Sequence, residues 1–145
     1  MSKGNQIPTS KSADSIKARN EVYDQLDKRF PKSAIGWVKL IPWDPATKIG
    51  LDAFDTSNEE SWAAYRAPDH VLREVEQYKQ GENDPIIAVM GPGKNAKAVI
   101  IDGHHRYLAR EKMNKGRVEA FIGHVPSDEG PWLYTHMSQK GGDSG

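Results

Sequence analysis

Five consecutive residues, Asp102, Gly103, His104, His105 and Arg106, carry the densest chemistry in this chain. A carboxylate can orient an imidazole or help hold Mg²⁺. An imidazole can carry a proton or donate a hydrogen bond to a phosphate oxygen. A guanidinium can grip a phosphate through two parallel N–H bonds. A glycine among them lets an anion approach the backbone closely.

The neighbouring residues explain how such a cluster would be presented. Ala98, Val99, Ile100 and Ile101 form a short apolar run, the pattern of a buried strand. From His104 onward the residues favour helix, with Tyr107, Leu108 and Met113 spaced for one apolar face, and Glu111 and Lys115 stand four apart as a helical ion pair. The stretch therefore reads as strand, glycine turn and helix, with the polar cluster at the junction. The first turn of a helix has N–H groups without intrahelical partners and the positive end of the helix dipole, so an anion is favoured there. In the simpler reading Asp102 caps the helix and the histidines merely begin it. Five polar or glycine residues in succession exceed what a cap needs, which favours a ligand site.

The rest of the chain supplies the support. Ile16, Val22, Tyr23, Leu26 and Phe30 fit a helical stripe between Ala13 and Phe30, with an Asp24–Lys28 pair, and Pro31 ends it. Residues 36–41 fit either a strand or a short helical turn. Thr47 to Leu51 alternates, placing Ile49 and Leu51 on one side. Pro68 suits a first helical turn, and Val71, Leu72, Val75 and Tyr78 continue a stripe that stops before Gly81. Pro85 to Met90 is a buried-type strand, joined through Gly91 to Asn95 in a hairpin with the strand before the motif. The glycines of that turn lack the spacing of a phosphate loop. Arg117 to Gly123 alternates as a half-buried strand, with Val118, Ala120 and Ile122 on one side. Residues 1–11 and 140–145 read as disordered ends of one domain spanning 12–139. Trp132 and Leu133 could anchor the tail, and His136 could close over the motif.

Composition narrows the function. The chain has 145 residues, 37% of them hydrophobic and 28% charged, which suits one domain with a real core. Its 20 basic and 20 acidic side chains cancel, against a protein that coats nucleic acid by bulk charge. Without cysteine there is neither disulfide nor thiolate chemistry. No apolar run approaches membrane-spanning length and no signal peptide opens the chain, so a cytoplasmic location and no membrane partner are expected. Charge is nonetheless uneven. Arg106, Arg110, Lys112, Lys115 and Arg117 face only Glu111 in the motif helix, whereas residues 50–82 are rich in acids. That polarity suits a phosphate bridged by a metal to carboxylates, and equally a merely dipolar surface.

The strand followed by DGHHRYLA and a short helix resembles the ParB/sulfiredoxin superfamily, over about Trp37 to Gln139. The D-G-H-x-R form is the version of its free-serine kinases and of many phage-encoded ParB-like nuclease domains. The resemblance implies an α+β fold, a small mixed sheet flanked by helices, here with an extra N-terminal helix around a core near 37–125. It implies a phosphate-bearing ligand at Gly103, His104, His105 and Arg106: ATP, ADP or CTP with Mg²⁺, or nucleic acid. Asp102, His104 and His105 become the catalytic candidates, with Asp102 as a metal ligand. The superfamily kinases place a catalytic acid near the first strand, where Asp52, Asp55, Glu59 and Glu60 stand. GWVK, the alternating strand, DGHHR and the GPW-x-x-x-H-x-S-Q tail also resemble domains of phage head-assembly or small prophage proteins.

Several functions are compatible with these residues: a nucleotide-dependent phosphotransferase or NTPase, a nucleotide-binding switch, a DNA binder or ParB-like nuclease, or a non-catalytic partner of a phage-head or host protein. Nucleotide is favoured over nucleic acid by the motif version and the zero net charge. Sulfiredoxin activity needs a cysteine where His104 stands and is excluded. No helix-turn-helix follows within these residues, so centromere-type recognition is not expected. Arg106→Ala is expected to remove ligand binding while leaving the fold intact.

Overall fold

The computed structural model describes residues 13–57, 62, 68–79, 84–113 and 116–127. Four strands form one mixed sheet: β1 (Thr47–Gly50), β2 (Ile86–Met90), β3 (Val99–Asp102) and β4 (Arg117–His124), in the order β1-β4-β2-β3. β2 pairs antiparallel with β3 as the expected hairpin, and parallel with β4 from Ile86↔Ala120 to Met90↔His124. β1 is antiparallel to β4, with Ile49 opposite Val118. The chain is thus α+β with a small mixed sheet, and β3 forms one edge.

Helices cover both faces. On one lie α1 (Ala13–Asp27) and the 3-10 turns Lys32–Ala34 and Gly36–Leu40, which bury Val22, Leu26, Ile35, Trp37 and Trp43 against Ile87, Val89, Ile101 and Phe121. On the other lie α2 (Pro68–Lys79) and α3 (His104–Lys112). There Val71, Tyr107 and Leu108 share a core with Phe54, Trp62, Ile86, Ala88, Ile100, Val118, Ala120 and Ile122. Ile49 and Leu51 pack together against this second core, although β1 itself stops at Gly50 and Leu51 begins a 3-10 turn. Two covered faces explain why β2 and β3 are apolar at consecutive rather than alternate positions.

Several expectations are corrected by packing. β4 is half-buried only at its start: from Ala120 to Gly123 every residue is buried, because there the strand runs beside β2 and under Trp43. Its alternation reads burial on one side and misses the layer laid over the other. In α1 the buried positions are Ser15, Ala18, Val22 and Leu26, with Ile16 and Tyr23 only half-buried; the helix stops at Asp27, before the half-buried Phe30 and ahead of Pro31. Small residues at 15 and 18 bring the helix close to the loop beyond it, where the Trp43 N–H donates to Ser15 Oγ at 3.4 Å. The ion pair here joins Asp27 to Lys32 at 2.7 Å, in place of the expected Asp24–Lys28. Gly36–Leu40 resolves as a 3-10 turn rather than a strand, and Ile41 after it is extended. On α2, Val71 and Val75 are buried while Leu72 faces outward. Glu59, Glu60, Lys115, His136, the rest of the tail and both ends fall outside the described residues.

Candidate functional site

The motif forms where β3 ends. Ala88 faces Ile100 across the hairpin, but Ile87 faces Asp102, so one extra residue is accommodated there as a β-bulge. The bulge has a specific consequence. Strict alternation would put Asp102 on the side of Ile100, beneath α3. Opposed to Ile87 instead, it shares the face covered by α1.

α1 supplies partners on that face. Gln25 Nε2 donates to Asp102 Oδ2 at 3.1 Å and to the Pro85 carbonyl at 3.1 Å. Arg29 Nε lies 3.4 Å from Asp102 Oδ1. From α3, Arg106 Nη2 reaches round the sheet edge to Asp102 Oδ2 at 3.1 Å, and the two side chains are only 9% and 8% exposed. Asp102 therefore does not cap the helix: it sits in a buried ion pair with further support from α1. A buried carboxylate needs a charged partner and hydrogen-bond donors, since removing it from water without them costs several kcal/mol.

Gly103 makes the turn possible. It has φ 109° and ψ 22°, the left-handed region, and it precedes α3 as its N-cap residue. A Cβ there would lie 3.0 Å from Arg106 Nη2, 3.1 Å from Arg106 Nε and 3.0 Å from Ile86 Cγ1. Position 103 must be glycine twice over, for its backbone and for the guanidinium folded across it. The first bond of the helix runs from the Tyr107 N–H to the Gly103 carbonyl at 2.9 Å. The N–H groups of His104, His105 and Arg106 therefore precede the intrahelical ladder, at the positive end of the dipole. Arg106 Nε is buried and has no hydrogen-bond acceptor among the described residues.

The two histidines occupy unlike surroundings. His104 is buried, with Trp62 edge-on at 5.1 Å, and Trp62 also meets Tyr107 at 5.2 Å. Burial pushes the His104 imidazole down to about 4; the Asp102 charge opposes this, while His105 and Arg106 add to it. His104 is therefore a neutral ring at pH 7. His105 is half-buried on the same turn.

The described acidic candidates near β1, Asp52 and Asp55, adjoin Leu51 and Phe54, which pack in the core beneath α3. Asp52 is exposed on the 3-10 turn Leu51–Ala53. Asp55 Oδ1 accepts the Ser57 N–H at 2.9 Å and hydroxyl at 2.7 Å, a local turn bond. Between them Phe54 meets Tyr107 edge-on at 5.7 Å, and the Tyr107 hydroxyl donates to the Leu51 carbonyl at 3.3 Å. Among the described residues no group of three or more His, Asp or Glu is arranged to hold a metal ion. Asp102 in this arrangement does not fit a Mg²⁺ ligand: guanidinium and amide donors occupy its oxygens, and two cations already compete for its charge.

Sequence reasoning missed Gln25, Arg29 and Trp62. The signal for Trp62 was present, as one of two aromatics, with Tyr65, in the otherwise polar segment 56–67. Nothing local marks Gln25 or Arg29, which the bulge alone brings to Asp102. It also missed the pair at the far end of β4, where His124 Nε2 and Asp44 Oδ2 are 2.9 Å apart.

No family model matches this chain, and no curated protein or solved structure does either. No helix among the described residues is long and apolar enough to cross a membrane.

Proposed function

We propose that this chain is a ParB/sulfiredoxin-like domain that binds a phosphate-bearing ligand, with nucleotide favoured, at the turn from Asp102 to Arg106. The observation that carries the reading is the charge balance around the turn. Arg29 and Arg106 bring two positive charges to the single carboxylate of Asp102, and His104 is neutral. The surplus of one positive charge sits at Asp102, two residues ahead of α3, whose first N–H groups precede the helical ladder and stabilise an anion. The buried Arg106 Nε adds a donor at the same place.

The residues divide the work. Backbone N–H groups after Gly103 hold phosphate oxygens, and Arg106 fixes Asp102 and the turn. His105 serves as the proton carrier in phosphoryl transfer or phosphoester hydrolysis. His104, neutral against Trp62, is too weak a base for that task near pH 7 and orients the helix start. No step is routed through Mg²⁺.

A ¹H–¹⁵N titration with ATP, ADP, CTP and a short DNA duplex tests the reading. Amide shifts at Gly103 to Arg106 with a nucleotide are expected, followed by phosphate release on incubation that His105→Ala abolishes. Shifts with DNA alone, fading as salt rises, would reassign the ligand to nucleic acid. Silence of these amides toward all four would refute the site.

A further inference from the structure

The phosphate reading leaves open which cation meets the ligand. Arg106 is the obvious one from the motif, yet its guanidinium is buried, folded over Gly103 and bonded to Asp102. Withdrawing it would strand a buried carboxylate. Arg29 is different in each respect. Its side chain is 57% exposed, and its Nε is 3.4 Å from Asp102 Oδ1, longer than a strong charged hydrogen bond. A contact this long, made from a largely exposed side chain, adds little, so Arg29 can exchange it for a better one at little cost.

Asp102 can also spare it. With Arg29 gone, the carboxylate still keeps Arg106 and the Gln25 amide. Arg106 alone balances its charge, so Arg29 is the surplus cation at the turn. Its guanidinium has donors beyond the one directed at Asp102, enough for a forked contact to a phosphate.

Resting on the phosphate-binding reading, we propose that Arg29, on the turn following α1, is the residue that captures the anion. Asp102 holds it in place as an internal carboxylate partner, and an arriving phosphate draws it across to form a charged hydrogen bond. The N-terminal helix is thereby part of the binding site, although it lies outside the motif and on the opposite face of the sheet from α3.

The test uses the full chain and ATP, CTP and a short DNA duplex as probes, with affinities from the same NMR titration. Arg29→Ala is expected to weaken the bound probe about tenfold or more, the loss of one charged hydrogen bond, with the urea midpoint unchanged. Arg29→Lys should recover only part of that, because an ammonium lacks the fork; it also carries the test should the alanine variant fold poorly. Lys28→Ala removes a neighbouring exposed charge and should leave affinity close to wild type. Unchanged affinity in Arg29→Ala would overturn the proposal, as would an equal loss in Lys28→Ala, which would mean bulk charge alone. If wild type binds none of the three probes, the phosphate-binding reading itself fails and takes this proposal with it.

Discussion

Two polar pairs lie beside the two ends of β2, and they are built on opposite principles. At one end Asp102, opposite Ile87, is locked to Arg106 with both side chains under a tenth exposed. At the other, His124, opposite Met90, meets Asp44 at 2.9 Å with 17% and 37% exposure. Each tethers an outlying segment to the sheet: α1 and α3 at the first, the loop through Trp43 at the second. The second end is held mainly by apolar contact, since Trp43 is fully buried over Gly123 and its indole N–H donates to the Val38 carbonyl at 2.9 Å. The first end invests its buried volume in charge. Burying charge does not maximise stability, because well-packed apolar residues serve as well or better. The anion site proposed above would draw on that charge.

The contrast is broken most forcefully at Arg106. Arg106→Ala leaves the Asp102 carboxylate buried with Gln25 and a half-exposed Arg29, and should destabilise the fold by about 3 kcal/mol, read from urea denaturation. This revises the expectation that the variant would keep an intact fold. Adding Asp102→Asn to Arg106→Ala should recover a substantial part of the loss. If Arg106→Ala alone unfolds at the wild-type midpoint, the buried pair is not what holds this end.

The buried His104 gives a comparable effect in pH. Its folded value of about 4 lies below the ordinary 6.5, so between these the unfolded chain binds more protons than the folded one. Its contribution is complete above about pH 6.5 and is lost as pH falls toward 4, a change on the order of 3 kcal/mol. Denaturation across this range should show stability falling with acid, and His104→Asn should flatten the slope. An unchanged slope in that variant would assign the acid sensitivity to other groups.

How much of this was legible beforehand follows from what each residue's signal depends on. The strand, glycine turn and helix around Asp102 to Arg106 are written in local pattern, and so are β2, the hairpin and α2. The side of the sheet that Asp102 faces is not. It depends on the bulge between β2 and β3, which reverses the direction alternation assigns to Asp102 and hands it to α1. Gln25 and Arg29 were invisible as site residues for the same reason: their partner lies more than 70 positions away and on a face that the sequence pattern assigns to α3. In β4 the second covering layer, not local periodicity, decides burial beyond Ala120.

The two glycines sharpen the comparison at smaller cost. Gly103 is required by its left-handed backbone and by Arg106 lying over it, whereas Gly123 is required because a Cβ would stand 2.8 Å from the Trp43 ring and 2.9 Å from Ile41 Cδ1. Alanine at either should cost about 2 kcal/mol. Asparagine separates the causes. At 103 it should be no worse than alanine, since asparagine tolerates the left-handed region. At 123 it should be worse, since it adds bulk beneath an indole that has no room to retreat.

The smallest effect belongs to His124. Its bond to Asp44 is partly solvated, and the backbone around it is secured independently: the His124 N–H donates to the Pro42 carbonyl at 3.1 Å, and the Asp44 N–H to the Ile122 carbonyl at 2.9 Å. His124→Ala should therefore cost no more than about 1 kcal/mol, and Asp44→Asn less still, both read from thermal melts at neutral pH. A loss as large as that of Arg106→Ala would mean that the two ends are equally dependent on charge. A small loss would leave Trp43 as the anchor of the far end and the Asp102 cluster as the place where the fold accepts buried charge.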